Sequence, residues 1–154
     1  MEGSRLWRAA AAGLVFTLLG ASGAETRRDE PTVDELKLRV ANASVADRPP
    51  LCLRISERQL AAAVKFYEAG ESEKAAGALT DVVAFAESAR DSSIQSHKHE
   101  KQSEIAIRKM ARKLADIKHT VSREDQEQVQ NALDRLQRVR DDLLSAMFPK
   151  GSKR

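Results

Sequence analysis

The chain has 154 residues, 42% hydrophobic, 32% charged and only 4% aromatic, with one cysteine, four prolines and seven glycines. That excludes a collagenous or disulfide-stapled protein and a multi-span membrane protein, and it leaves room for one domain rather than two. The 26 basic and 23 acidic residues nearly balance, so bulk charge gives no reason to expect a nucleic-acid partner.

Residues 1–24 read as a secretory signal peptide. Arg5 and Arg8 precede the uncharged run Ala9 to Leu19, and small residues follow, with Ser22 and Ala24 at the exit. A basic start, a short apolar core and a small-residue exit are its three parts. The apolar run is about half of the roughly 20 residues that a spanning helix needs. Cleavage is expected between Ala24 and Glu25, with Gly23 the neighbouring alternative and an uncleaved anchor the competing reading. No cysteine follows the core, which excludes a lipoprotein signal, and Arg27-Arg28 lies too late for a twin-arginine signal. Removing residues 1–24 takes away two basic residues and one acidic residue and leaves a net charge of +2.

The mature chain is expected to hold a disordered leader over 25–31, one helical domain over 32–148 and a frayed basic tail over 149–154. Ala, Leu, Glu, Lys, Arg and Gln dominate, which favours helix over sheet. Thr32 and Glu35 form a capping-box pattern, and Val33, Leu36, Val40 and Ala43 continue at helical spacing. Asp47-Arg-Pro-Pro50 breaks that helix, and proline suits the first turn of the next one. The second helix should run from about Pro50 to Ala69, with Leu53, Leu60, Ala63, Val64 and Tyr67 on one face and Ile55 and Phe66 beside it. Gly70 is the expected stop.

A third helix should start near Ser72, its face made of Ala75, Ala78, Leu79, Val82, Ala86 and Ala89. The apolar signal thins between Ser88 and Ser103. It returns as Ile107, Met110, Leu114, Ile117 and Val121, the spacing of a coiled-coil seam. No proline lies between Pro50 and Pro149. Residues 72–120 therefore read either as one long helix or as two with a bend near 91–97. Ser122 and Asp125 mark the start of the last helix, whose stripe runs from Val129 to Met147 with Arg140 inside it. Such an arginine must snorkel or find a partner.

Residues 97–123 carry eight cations and three acids, whereas 124–142 carry six acids and three cations. Opposite charge across a short turn predicts an antiparallel hairpin. The fold expected is all-α, an elongated antiparallel bundle of three to four helices, with one central helix over about 72–120 as a variant.

Leu60 to Glu87, within a span of about 55–88, resembles a single tetratricopeptide helical hairpin. Ala63, Phe66, Gly70, Ala75 and Leu79 fall where that repeat carries small, aromatic, glycine, alanine and bulky residues. Val82 replaces the usual alanine, the terminal proline is missing, and residues 95–148 do not repeat the pattern. The resemblance implies a close-packed helical hairpin and hints at protein binding.

Catalytic, cofactor-binding and metal-binding residues are not expected. His97 and His99 are two apart and so point to different sides of a helix, while helical zinc ligands need spacings of three or four. His119 stands near a turn. Cys52 lies near an apolar face and reads as a buried thiol, with an intermolecular disulfide as the alternative. No nucleophile elbow, apolar carboxylate pair or glycine-rich phosphate loop is present. The expected function is an exported periplasmic or cell-envelope binding or scaffold protein, acting through helix-face contacts with another protein. A holdase-type chaperone and a small haem or metal bundle, with Met110 and a histidine as ligands, are the alternatives.

One surface is singled out. With the seam of Ile107, Met110 and Leu114 buried, Lys98, Lys101, Arg108, Lys109 and Arg112 fall on the opposite side, around Ile105. Such an outward basic strip would suit an anionic envelope component: a phospholipid surface, an anionic glycan or an acidic protein. The plain alternative is a solvated helix face.

Overall fold

The computed structural model describes residues 30–149. The residues read as a signal peptide, the expected cleavage point between Ala24 and Glu25, most of the expected leader and most of the basic tail lie outside the described residues. Residues 31–149 form one compact unit. Among the described residues all regular structure is helical: α1 (Val33–Asn42), α2 (Arg48–Glu68), α3 (Ser72–Ser96), α4 (Glu100–Lys118) and α5 (Arg123–Met147).

Local chemistry sets most of these limits. The Thr32 hydroxyl accepts from the Glu35 amide at 3.2 Å, and the Glu35 carboxylate accepts from the Thr32 amide at 2.9 Å, which closes the capping box of α1. α2 begins at Arg48, with Pro49 and Pro50 in its first turn. The Ser122 hydroxyl accepts from the Asp125 amide at 3.2 Å and starts α5. α2 ends at Glu68 and is stopped by Gly70, whose φ of 72° is left-handed. There Gly70 N–H donates to the Tyr67 carbonyl at 3.1 Å and Glu71 N–H to the Phe66 carbonyl at 2.8 Å. This is a Schellman stop, which glycine enters without the clash of a Cβ.

The long helix over 72–120 does not form. α3 stops at Ser96 and α4 starts at Glu100. His97 adopts the left-handed conformation (φ 53°), and so does His99 (φ 63°). His97 N–H donates to the Ile94 carbonyl at 3.4 Å and Lys98 N–H to the Ser93 carbonyl at 3.2 Å, the same stop as at Gly70 but without the glycine. The break falls just beyond the expected bend, and the described residues form five helices. Where the apolar signal thins, serines take over the interior. Ser92, Ser93 and Ser103 are buried, and the Ser93 and Ser103 hydroxyls share a 2.9 Å hydrogen bond across the turn.

The helices pair as two hairpins, α2 with α3 and α4 with α5, and each hairpin is antiparallel. The hairpins stack with like-oriented helices together, α3 beside α5 and α2 beside α4. Ser72 at the start of α3 bonds Asp125 at the start of α5 at 2.9 Å, and Arg90 further along bonds Asp142 at 2.9 Å, so α3 and α5 run parallel. The bundle is therefore antiparallel within each hairpin and parallel between them. α1 lies against α2. Lys37 of α1 reaches Asp81 of α3 at 2.9 Å and sits over the Phe85 ring.

One continuous core links the hairpins. It contains Leu60, Leu79, Val82 and Ala86 from the first, with Ile107, Leu114, Leu136 and Leu143 from the second. Burying a large aliphatic side chain contributes about 1.5–3 kcal/mol. These side chains, and not the surface ion pairs, hold the hairpins together.

Candidate functional site

The basic strip belongs to α4, and the seam fixes its direction. Ser103, Ile107, Met110, Leu114 and Ile117 are buried, so the opposite edge of the helix faces water. Lys101, Ile105, Lys109, Arg112 and Asp116 recur there every three or four residues, and all are exposed. They make a stripe, since residues three and four apart on a helix are neighbours. From Lys101 to Arg112 it is about 16 Å long at 1.5 Å per residue.

The strip differs from the expected one in two members. Lys98 is exposed but lies in the turn before α4, its amide tied to Ser93. Arg108 is not outward. It is half-buried at the α5 side, with Nε 3.8 Å from Glu104 Oε1. Glu104 is buried and accepts a 2.8 Å hydrogen bond from Arg140, the arginine inside the apolar stripe of α5. A buried carboxylate needs such partners, so Glu104 draws Arg108 and Arg140 to the helix seam. Lys98, Lys101, Lys109 and Arg112 make no ion pair among the described residues. Three of these four are lysines.

Several charges elsewhere on the molecule are paired across helices. Arg135 forks onto Glu87 at 2.8 and 2.9 Å, and Arg90 bridges Asp91 and Asp142. Both interactions lie along the α3–α5 junction, and an open cleft lies beside them. Leu79, Val83 and Ala132 form its floor, and Ala76, Thr80, Gln128, Asn131 and Arg135 its walls and rim. A second cleft separates α2 from α4 between Val64, Tyr67, Ile117 and Val121. The Tyr67 hydroxyl is enclosed without a hydrogen-bond partner among the described residues. Burial first, and then the Asp125 carboxylate, raise its pKa.

Sequence reasoning passed over both clefts, because they arise from the stacking of the two hairpins and not from any one helix. Gln128 and Asn131 share one edge of α5, a polar i, i+3 pair beside the apolar stripe, and that was the available signal.

Cys52 is buried and in no disulfide among the described residues, with Sγ 3.5 Å from the Ser88 hydroxyl. Burial raises its pKa, against smaller opposing effects of Ser88 and Arg48. His97 and His99 serve the turn through their backbones. No group of three or more potential metal ligands occurs among the described residues. The large exposed hydrophobic residues there are Leu38, Ile105 and Phe148, each on a different segment. No described helix is long and apolar enough to cross a membrane.

No protein-family model matches this chain, and neither a curated protein nor a solved structure is significantly similar to it.

Proposed function

We propose that the protein is an exported helical scaffold of the cell envelope that binds another protein through a helix face. The α3–α5 cleft carries this reading. Its apolar floor and its rim of Thr80, Gln128, Asn131 and Arg135 combine the two parts of a protein interface, a desolvated centre and a hydrogen-bonding margin. An open cleft between two parallel helices offers a ridge-and-groove surface to an amphipathic helix. The tetratricopeptide-like pattern over Leu60 to Glu87 agrees with that use, and the signal-like residues 1–24 supply the route of export.

The test places a photo-crosslinking residue at Thr80, on the rim, or at Arg39, on α1, in cells. A discrete adduct from Thr80 in the envelope fraction, absent from Arg39, is the expected outcome. A protein that stays in the cytosol with Met1 retained, or adducts that do not depend on position, would contradict the proposal.

A further inference from the structure

Lys101, Lys109 and Arg112 of α4 make no ion pair among the described residues, and we infer that this edge docks the protein onto an anionic phospholipid surface. The inference goes beyond protein binding at the α3–α5 cleft, and it rests on the proposed export only for where the membrane is met. α2 and α5 flank α4, so the edge is a corner of the bundle, away from the α3–α5 cleft. Both surfaces can be occupied together.

Three features favour a bilayer over an acidic protein. The first is shape. Lys101, Ile105, Lys109 and Arg112 stand exposed along the outer edge of one helix, which a flat surface can meet along its length and a protein would have to match with a groove. The second is the type of cation. Lysine presents a compact charge without a fixed fork, which suits mobile headgroups, whereas specific carboxylate recognition favours bidentate arginine. The arginine best placed for carboxylate work, Arg108, is already held by Glu104. The third is Ile105, 37% exposed at the centre of the strip, which gives the cationic edge an apolar contact for the headgroup boundary.

The net charge of the chain is too small to produce this attraction by itself, so its placement on one edge is what matters. A lysine or arginine held near an anionic membrane contributes about fivefold in partitioning. Neutralising Lys101, Lys109 and Arg112 should therefore lower binding by about a hundredfold. The attraction falls off within roughly 8–10 Å at physiological ionic strength, so it should weaken sharply in high salt.

The experiment uses the full chain with an environment-sensitive label on Q102C, which borders the strip, while buried Cys52 remains unlabelled. Vesicles of phosphatidylglycerol mixed with phosphatidylcholine are compared with phosphatidylcholine alone. The local label reports on α4 whatever the N-terminal residues do. The expected result is protection of the label from an aqueous quencher on the anionic vesicles only. Protection should disappear in high salt and in K101Q/K109Q/R112Q. It should survive in R39Q/R54Q/K65Q, which removes the same charge from exposed positions elsewhere. Equal quenching on both kinds of vesicle would overturn the inference. So would equal losses in the two triple variants, or an acidic envelope protein crosslinking to this edge while vesicles leave the label unprotected. None of these results bears on the Thr80 adduct, so the two proposals fail separately.

Discussion

The two hairpins solve the same packing problem with different side chains. In α2/α3 the buried face is rich in alanine, with Ala63, Ala75, Ala78, Ala86 and Ala89 all nearly or fully enclosed. Small side chains let the helices approach closely, and buried serines add direction: the Ser56 hydroxyl donates to the Val82 carbonyl at 2.9 Å. In α4/α5 the buried face is built from Ile107, Leu114, Leu136, Val139 and Leu143. Charged contacts such as Glu104–Arg140 and a polar Lys118–Gln130 bond of 2.6 Å line its margins. The first hairpin is limited by space and the second by filling. The two should therefore break in opposite ways.

The largest effect should come from emptying the second hairpin. Leu114 and Leu136 are fully buried, so replacing either with Ala should cost about 2–5 kcal/mol in urea melts. Filling the first hairpin should cost less but still clearly. Ala86→Leu puts a larger side chain into a fully enclosed position and should cost about 1–3 kcal/mol. An Ala86→Leu variant as stable as the parent would mean that the alanine face leaves slack.

Where the hairpins join, polar pairing decides. Ser93→Ala strands the Ser103 hydroxyl in a buried site and should cost about 1–3 kcal/mol. The double change Ser93→Ala with Ser103→Ala should recover most of that loss, because neither hydroxyl is then left unpaired. The smallest effect, and of opposite sign, belongs to the turn. A left-handed residue with a Cβ costs roughly 1–2 kcal/mol, partly offset by the entropy that glycine adds to the unfolded chain. His97→Gly should therefore raise stability by up to about 1 kcal/mol, whereas Gly70→Ala should lower it. A loss from His97→Gly would show that the imidazole supports the turn, for instance through Glu100, 3.7 Å away.

The sequence displays what local rules control. The Thr32 box, the Gly70 stop, the Ser122 cap and the α4/α5 seam all rest on neighbours three or four residues apart, and all stand where their patterns put them. Two features were legible only in part, because their causes are not local. A bend near 91–97 is one of the two readings of residues 72–120, but the stop uses His97 in a glycine-type conformation, and nothing in SHKHE fixes it there. The turn lets α4 pack back along α2 and α3. Arg108 was misplaced for a related reason. The 100° periodicity sets it toward the outer edge, but buried Glu104, shared with Arg140 from another helix, draws it to the seam. Of the strip, Lys101, Lys109 and Arg112 were legible because exposure follows directly from the seam. The α3–α5 cleft was not, since no sequence pattern announces which helices of two hairpins lie parallel.

The chain reverses at residues 97–99, so that α4 returns alongside α2 and its far end meets the start of α3. A pair of spin labels at Glu73 and Thr120, both exposed, measures this directly by pulsed electron resonance. Glu68 and Thr120 line the same cleft, and Ser72 bonds Asp125. The account therefore predicts a separation of no more than about two helix diameters of 10–12 Å each. A continuous helix through 72–120 would hold the labels roughly 70 Å apart, and a distance near that value would contradict the reversal and the stacked hairpins with it.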